Sequence, residues 1–298
     1  MTIATLKRTR ILPTNHTLQA VSATCAPAPL SGYDAANLKN PARTKLCKVA
    51  GTTMTLNIRL NGVPSVAALA VCGGEPMRGI GYSVNATIRA WGNDVAADWT
   101  NAKYDTGEIP AYPPAGSFGA GLFGDNAMGG YISPSTSRWW RPVFILFFAE
   151  VQAYEYWQIQ INDPLGDGYI SIGIVGLCSV VELARNITDG WSHTPVDTTQ
   201  AERTTGGGIK TTRPGVRYVE MSANVKGYPT AEMWSLSHMF MILGETTPCF
   251  VAFHPDDEVN SPWTTLYGTL KYSGLTRPAN NLNDFALTLK EQPTLPAS

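Results

Sequence analysis

A chain of 298 residues is long enough to bury one large or two ordinary hydrophobic cores. Only 15% of the residues are charged, against 28 glycines and 21 prolines, a balance that suits short strands joined by turns and not long surface helices. With a net charge of -1 and no basic cluster longer than "LKRTR" at 6–10, the sequence excludes a general nucleic-acid binder.

The first residues are basic, but "ILPTNHTLQAVSATC" behind them is broken by proline, asparagine and histidine and is not a signal peptide. Residues 1–34 read as an N-terminal arm. The longest apolar run, "VFILFFA" at 143–149, is too short to cross a bilayer, so no membrane insertion is expected and the chain reads as soluble and made in a cytoplasm. Five scattered cysteines, Cys25, Cys47, Cys72, Cys178 and Cys249, contain no CxxC pair and read as reduced thiols, not as a disulfide frame or a zinc site. No cofactor or metal is expected.

Residues 35–185 carry strand signals. "TMTLNIRL" (53–60) alternates with Met54, Leu56, Ile58 and Leu60 on one face, and "SVNATIRAWG" (83–92) alternates through Val84, Ala86, Ile88 and Ala90. "SVAALAVCG" (65–73) is more continuously apolar and should lie deeper. "RPVFILFFAEV" (141–151), "YEYWQIQIND" (154–163) and "GYISIGIVGLCSVVEL" (168–183) supply three further strands, separated by turns such as "DPLGDG". In "YEYWQIQIND" a period of two sets Tyr154, Tyr156, Gln158 and Gln160 on one face and Glu155, Trp157, Ile159 and Ile161 on the other. Trp157 thus shares its side with two aliphatics and is expected to fill a sandwich core. Together these strands predict a β-sandwich.

The span 110–138 is different: glycine, proline and small residues without periodicity, a length that compact domains keep for functional or packed loops. Its apolar side chains, Phe118, Leu122, Phe123, Met128 and Tyr131, are the expected assembly contacts, lying against another subunit. Trp139 and Trp140, just beyond it, are the aromatic candidates for contact with a sugar.

From 186 the composition turns polar and residues 186–298 read as a smaller α+β unit. "GVRYVEMSANV" is a strand, and "TAEMWSLSHMFMILGE" (230–245) is the main helix, with Thr230 as cap, Met233, Leu236, Phe240 and Leu243 down one side and Gly244 near its end. "CFVAFHPD", "LYGTLKYSG" and "DFALTLKEQ" complete it as strands. The fold class is therefore mainly β: a sandwich followed by a smaller α+β domain with one main helix.

No motif commits the chain to catalysis. "YDTGE" (104–108) holds an Asp-Thr-Gly triplet, but aspartic-protease chemistry needs two carboxylates sharing a proton and no second triplet exists, so Asp105 and Gly107 read as a turn. "TTGGGIKTT" (204–212) fails the phosphate-loop spacing because Ile209 separates Gly208 from Lys210, and reads as a hairpin or surface loop. "HPDDE" (254–258) could hold a hard cation through Asp256, Asp257 and Glu258 beside His254, yet Pro255 makes it a turn. His16, His193 and His238 have no cysteine or acid at a diagnostic spacing, and neither G-x-S-x-G nor H-E-x-x-H occurs.

The order of features resembles the discoidin-like, galactose-binding-like jelly roll found in tail-tip and baseplate proteins of long-tailed bacteriophages. An early "NL" (Asn37, Leu38), the mid-domain "YDTG" (Tyr104, Asp105, Thr106, Gly107) and the aromatic strand from Trp157 to Asp163 carry the resemblance over roughly 35–185. Pro255, Leu266, Tyr267 and Gly268 are similar to the second domain of such proteins. The resemblance implies a jelly-roll sandwich and a structural, non-enzymatic virion component in the phage tail, assembled in the host cytoplasm with copies of itself and other tail proteins. The alternative it leaves is a carbohydrate-binding module that attaches to a glycan on the bacterial surface.

Overall fold

The computed structural model describes residues 8–73, 86–111, 126–127, 131–132, 143–164, 168–187, 191–203, 209–213, 215–255, 264–279 and 282–293. The protein is mainly β, as the alternation requires, and its sheets stack in layers with one main helix on the outside.

The front sheet runs in the order Ser22–Ala26, Thr53–Arg59, Tyr156–Asn162, Thr87–Asn93 and Tyr104–Asp105, with Ile109–Pro110 also paired to Thr87–Asn93. The middle sheet is Val143–Gln152, Val66–Cys72 and Ile174–Cys178. A two-stranded piece, Cys47–Ala50 with Tyr169–Ile172, lines the same core. That core takes Met54, Leu56 and Ile58, Ile88 and Ala90, and Trp157, Ile159 and Ile161 from the front, and Leu69, Val71, Val175 and Leu177 from the middle. The two periodicities meet as expected: every second side chain of each front strand points inward.

The back sheet has seven strands, Val181–Glu182, Arg10–Leu12, Pro248–Ala252, Thr265–Ala279, Leu282–Glu291, Arg217–Pro229 and Ser192–Asp197. One of its faces meets the middle sheet and the other the helix. Leu12, Phe250 and Tyr267 pack on Ala68, Ala70 and Cys72 of the middle sheet, while their neighbours Ile11, Val251 and Leu266 belong to the helix-side core. The small residues on that face of Val66–Cys72 make room for the Phe250–Tyr267 ring pair, whose centroids are 4.6 Å apart. Val66–Cys72 is consequently covered on both sides, which explains its continuous rather than alternating apolarity.

The segment expected as an arm is, from residue 8 onward, built into two layers: Arg10–Leu12 pairs with Pro248–Ala252 in the back sheet and Ser22–Ala26 with Thr53–Arg59 in the front. The apolar run 168–183, expected as one strand, divides at Gly173 and again after Cys178 into Tyr169–Ile172, Ile174–Cys178 and Val181–Glu182, each paired in a different sheet. Periodicity cannot show such a division, because each piece is apolar and buried in its own layer. The polar stretch after 186 holds an edge strand, Ser192–Asp197, against Arg217–Pro229. The second half of "TTGGGIKTT", from Ile209, lies in the strand Ile209–Arg213, which pairs antiparallel with Gln200–Arg203.

Helix α1, Thr230–Leu243, buries Met233, Leu236, Met239, Phe240 and Leu243, and Gly244 closes it with φ +60°. Thr230 does not cap it. The strand Arg217–Pro229 enters the helix directly through Pro229, and the Thr230 hydroxyl instead accepts a hydrogen bond from Asn283 Nδ2 at 2.9 Å.

Candidate functional site

Of the residues expected to carry function, Phe118, Leu122, Phe123, Met128, Trp139 and Trp140 lie outside the described residues. Tyr131 is described only in its backbone, paired with Ala127 in a short hairpin. Asp256, Asp257 and Glu258 of "HPDDE" also lie outside. Among the described residues no group of three or more His, Cys, Asp or Glu is placed to hold a metal ion, and no helix is long and apolar enough to cross a membrane.

The other face of the front sheet supplies a constellation that the sequence reading did not single out. Side chains opposite to Trp157 and Ile159 in the alternation lie across neighbouring strands in rows. Gln158 stands between Asn57 and Trp91, Gln160 between Thr55 and Arg89, and Tyr156 between Arg59 and Asn93. Trp91 is in turn opposite Asp105. Gln158 Nε2 donates to Asn57 Oδ1 at 2.9 Å.

One end of this face is fixed by charge. Arg89 grips Asp105 through two nitrogens, with Nε to Oδ1 at 2.9 Å, and lies over the Trp91 ring at 4.6 Å from its centroid. Asp105 also accepts the Gly107 backbone N–H at 2.8 Å, and Gly107 turns the chain at φ +67°. The Arg89 hydrogen bond is the main cause that holds the Asp105 carboxyl below its ordinary value, with the Gly107 N–H and the Trp91 side chain adding to it. "YDTGE" is therefore half strand, half turn, and its carboxylate is a stable anion paired to arginine, not a member of a proton-sharing pair. At the other end Arg59 pairs with Glu155 at 2.6 Å and lies 5.6 Å from the Tyr156 ring centroid.

Tyr154 departs from the expected alternation. The strand begins at Tyr156; Glu155 faces outward to Arg59, and the Tyr154 ring turns in against Trp157 at 6.1 Å between centroids. Gly92 makes this possible, since a Cβ there would lie 2.5 Å from Tyr154 Cδ2. Trp157 Nε1 finds its one partner in the Tyr154 carbonyl at 3.0 Å.

A second surface lies on α1. Trp234 and Met241 are 81% exposed and Ile242 67%, and a seven-residue spacing sets the first two on one stripe. The outer face is mixed, with Glu232, Ser235 and His238 exposed among these three, so α1 carries more apolar surface outside than a helix with only one core to cover requires.

No family model matches the sequence, and no curated protein matches it. Among solved structures it is similar to a family 32 carbohydrate-binding module from Clostridium perfringens NanJ in complex with galactose (13% identity, 56% of this chain and 98% of that one, TM-score 0.35). A second Clostridium perfringens module, in complex with GalNAc-β-1,3-galactose, is 9% identical over 55% of this chain and 98% of that one, TM-score 0.36. A Streptococcus pneumoniae fucose-binding module is 10% identical over 55% of this chain and 95% of that one, TM-score 0.35. The architecture of this chain is read from its own strand pairing.

Proposed function

We propose that this protein is a non-catalytic structural component of a multiprotein particle of the phage tail-tip or baseplate kind, held there by contacts with neighbouring proteins. The observation that carries the reading is the exposed stripe of Trp234, Met241 and Ile242 on a helix whose opposite face already covers the back-sheet core. Large apolar side chains grouped in solvent mark interfaces more often than they mark anything else. The residues that carry the tail-protein resemblance have structural places in this chain. Trp157 and Leu38 are core residues, Tyr104 packs on Phe148 and Trp157, and Tyr267 joins layers by donating to the Pro41 carbonyl at 2.9 Å. The test is mass spectrometry of purified particles from cells carrying either the parent gene or a Trp234→Ser, Met241→Ser variant. The parent chain is expected in the particle and the variant is expected to be lost from it while remaining folded. A variant incorporated at the parent level would sink the reading of this stripe, and absence of the parent chain from particles would sink the reading as a whole.

A second reading, attachment to a glycan, is favoured by the front face. Trp91 and Tyr156 offer ring surface, while Asn57, Gln158 and Gln160 offer donors and acceptors in the mixture that vicinal hydroxyls take. The charges there are paired with one another, so the ligand would be a neutral sugar. A glycan array probed with the parent and with Trp91→Ala tests it: binding that the substitution abolishes supports attachment through this face, and an unbound array rejects it.

A further inference from the structure

Cys25 and Cys47 come from different layers and meet with their sulfurs 3.7 Å apart. Cys25 is in Ser22–Ala26, the edge strand of the front sheet, and Cys47 opens Cys47–Ala50, which pairs with Tyr169–Ile172. Both touch the sandwich core, Cys47 fully buried and Cys25 half-buried, so Cys25 is the member of the pair nearer to solvent. A disulfide needs a sulfur separation of about 2.05 Å. Forming the bond draws the sulfurs together by about 1.7 Å, and the edge strand, paired on one side only, can yield to that movement. Cys72, Cys178 and Cys249 are buried in and between the middle and back layers.

We propose that Cys25 and Cys47 form a modification site: on meeting a peroxide they join in a reversible disulfide that staples the N-terminal front strand to the strand beginning at Cys47. The Cys25 thiolate attacks one peroxide oxygen, the O–O bond breaks, and the second oxygen leaves as hydroxide that takes up the proton shed by the thiol. The resulting sulfenic acid is attacked at sulfur by Cys47, which releases its proton to the departing hydroxyl as water. Two thiols lose two electrons, hydrogen peroxide gains them, and two waters result.

The same surroundings set the rate. Burial raises the Cys25 thiol above its ordinary value, with the nearby Asp34 charge adding to it, and burial raises Cys47 further. Little thiolate exists at neutral pH, so the bond forms slowly there and faster in alkali. A chain kept in a reducing cytoplasm stays open, and one that leaves it closes.

The experiment uses the full chain, treated with excess hydrogen peroxide at alkaline pH, then quenched, unfolded and alkylated. Intact mass should show the loss of two hydrogens and three alkylations in place of the five of the reduced chain. Peptide mapping should link Cys25 to Cys47, dithiothreitol should restore all five, and the thermal midpoint should rise by several degrees on oxidation, as closing a loop of this length stabilises a fold. Cys25→Ser should keep every remaining thiol alkylatable after the same treatment. The proposal is overturned by five alkylations after oxidation, by a cross-link between any other pair, or by sulfinic acid at Cys25 without a cross-link.

Discussion

Arg43 and Glu291, which are 248 residues apart in sequence, meet as a buried ion pair with Nη1 3.0 Å from Oε1 and side chains 1% and 6% exposed. Arg43 Nε donates to the Gly73 carbonyl at the end of a middle strand, and Nη1 also reaches the Gln292 carbonyl at 3.0 Å. The other oxygen of Glu291 accepts the Val219 N–H at 3.0 Å. The pair therefore ties the loop before Cys47 to the last strand of the back sheet, across layers.

Two charges so placed are stable only together. Removing one partner leaves the other buried and unpaired, which costs about 3–5 kcal/mol, whereas replacing both with apolar groups is often close to neutral. Arg43→Met and Glu291→Met should each lower the unfolding free energy read from urea denaturation by that much, and the double variant Arg43→Met, Glu291→Met should recover a large share. Single variants as stable as the parent would mean that the pair is wet or unformed in solution.

Trp157→Ala is expected to cost about 3–5 kcal/mol, the range for deleting a large buried aromatic. The indole is fully buried, stacks on Phe148 at 5.8 Å and meets Tyr104 and Tyr154 edge-on, so three rings lose their packing with it. Urea unfolding followed by circular dichroism measures this. A variant that unfolds with the parent would place the residue on the surface.

The burial of Trp157 was legible because its strand is short, regular and covered on one face only. The helix side was equally legible at Met233, Leu236, Phe240 and Leu243. Two things were not. The division of 168–183 among three sheets depends on which partners lie alongside, information that a run of apolar residues does not hold. The Trp91, Arg89 and Asp105 cluster is assembled by register across strands, and Arg89 and Asp105 stand 16 residues apart. The alternation of "ATIRAWG" placed Ile88 and Ala90 inward, and so implied that Arg89 and Trp91 look outward together. That implication was the available signal for the front face, but its acidic partner was not predictable from it.

Gly268→Ala should destabilise the back sheet severely while Gly92→Ala should be milder. A Cβ at Gly268 would lie 2.0 Å from the Lys290 carbonyl oxygen, a backbone atom held by strand pairing. At Gly92 the obstacle is the ring of Tyr154, which can swing aside at the loss of its contact with Trp157. Thermal melts of the two variants order them. A Gly268→Ala protein that melts at or above Gly92→Ala would contradict the close approach of those strands.

Acidification should weaken the fold through His16. Burial lowers its pKa below the ordinary 6.5, opposed by a hydrogen bond with the Ser65 backbone, and Nε2 is buried without a partner among the described residues. Between the folded and unfolded values the unfolded chain binds more protons, so stability rises with pH in that window. The contribution is present above about 6.5, is lost as pH falls from there to the folded value, and changes no further below it. The Asp105 carboxyl works lower on the scale: its depressed pKa gives stability that is present above about 3.8 and lost only as pH falls through the folded value, so the two effects separate. Urea midpoints measured from pH 7.5 to 5 should decline for the parent and stay flatter for His16→Gln. Equal slopes in the two proteins would assign the decline to another group and show that His16 carries its charge in the folded chain as readily as in the unfolded one.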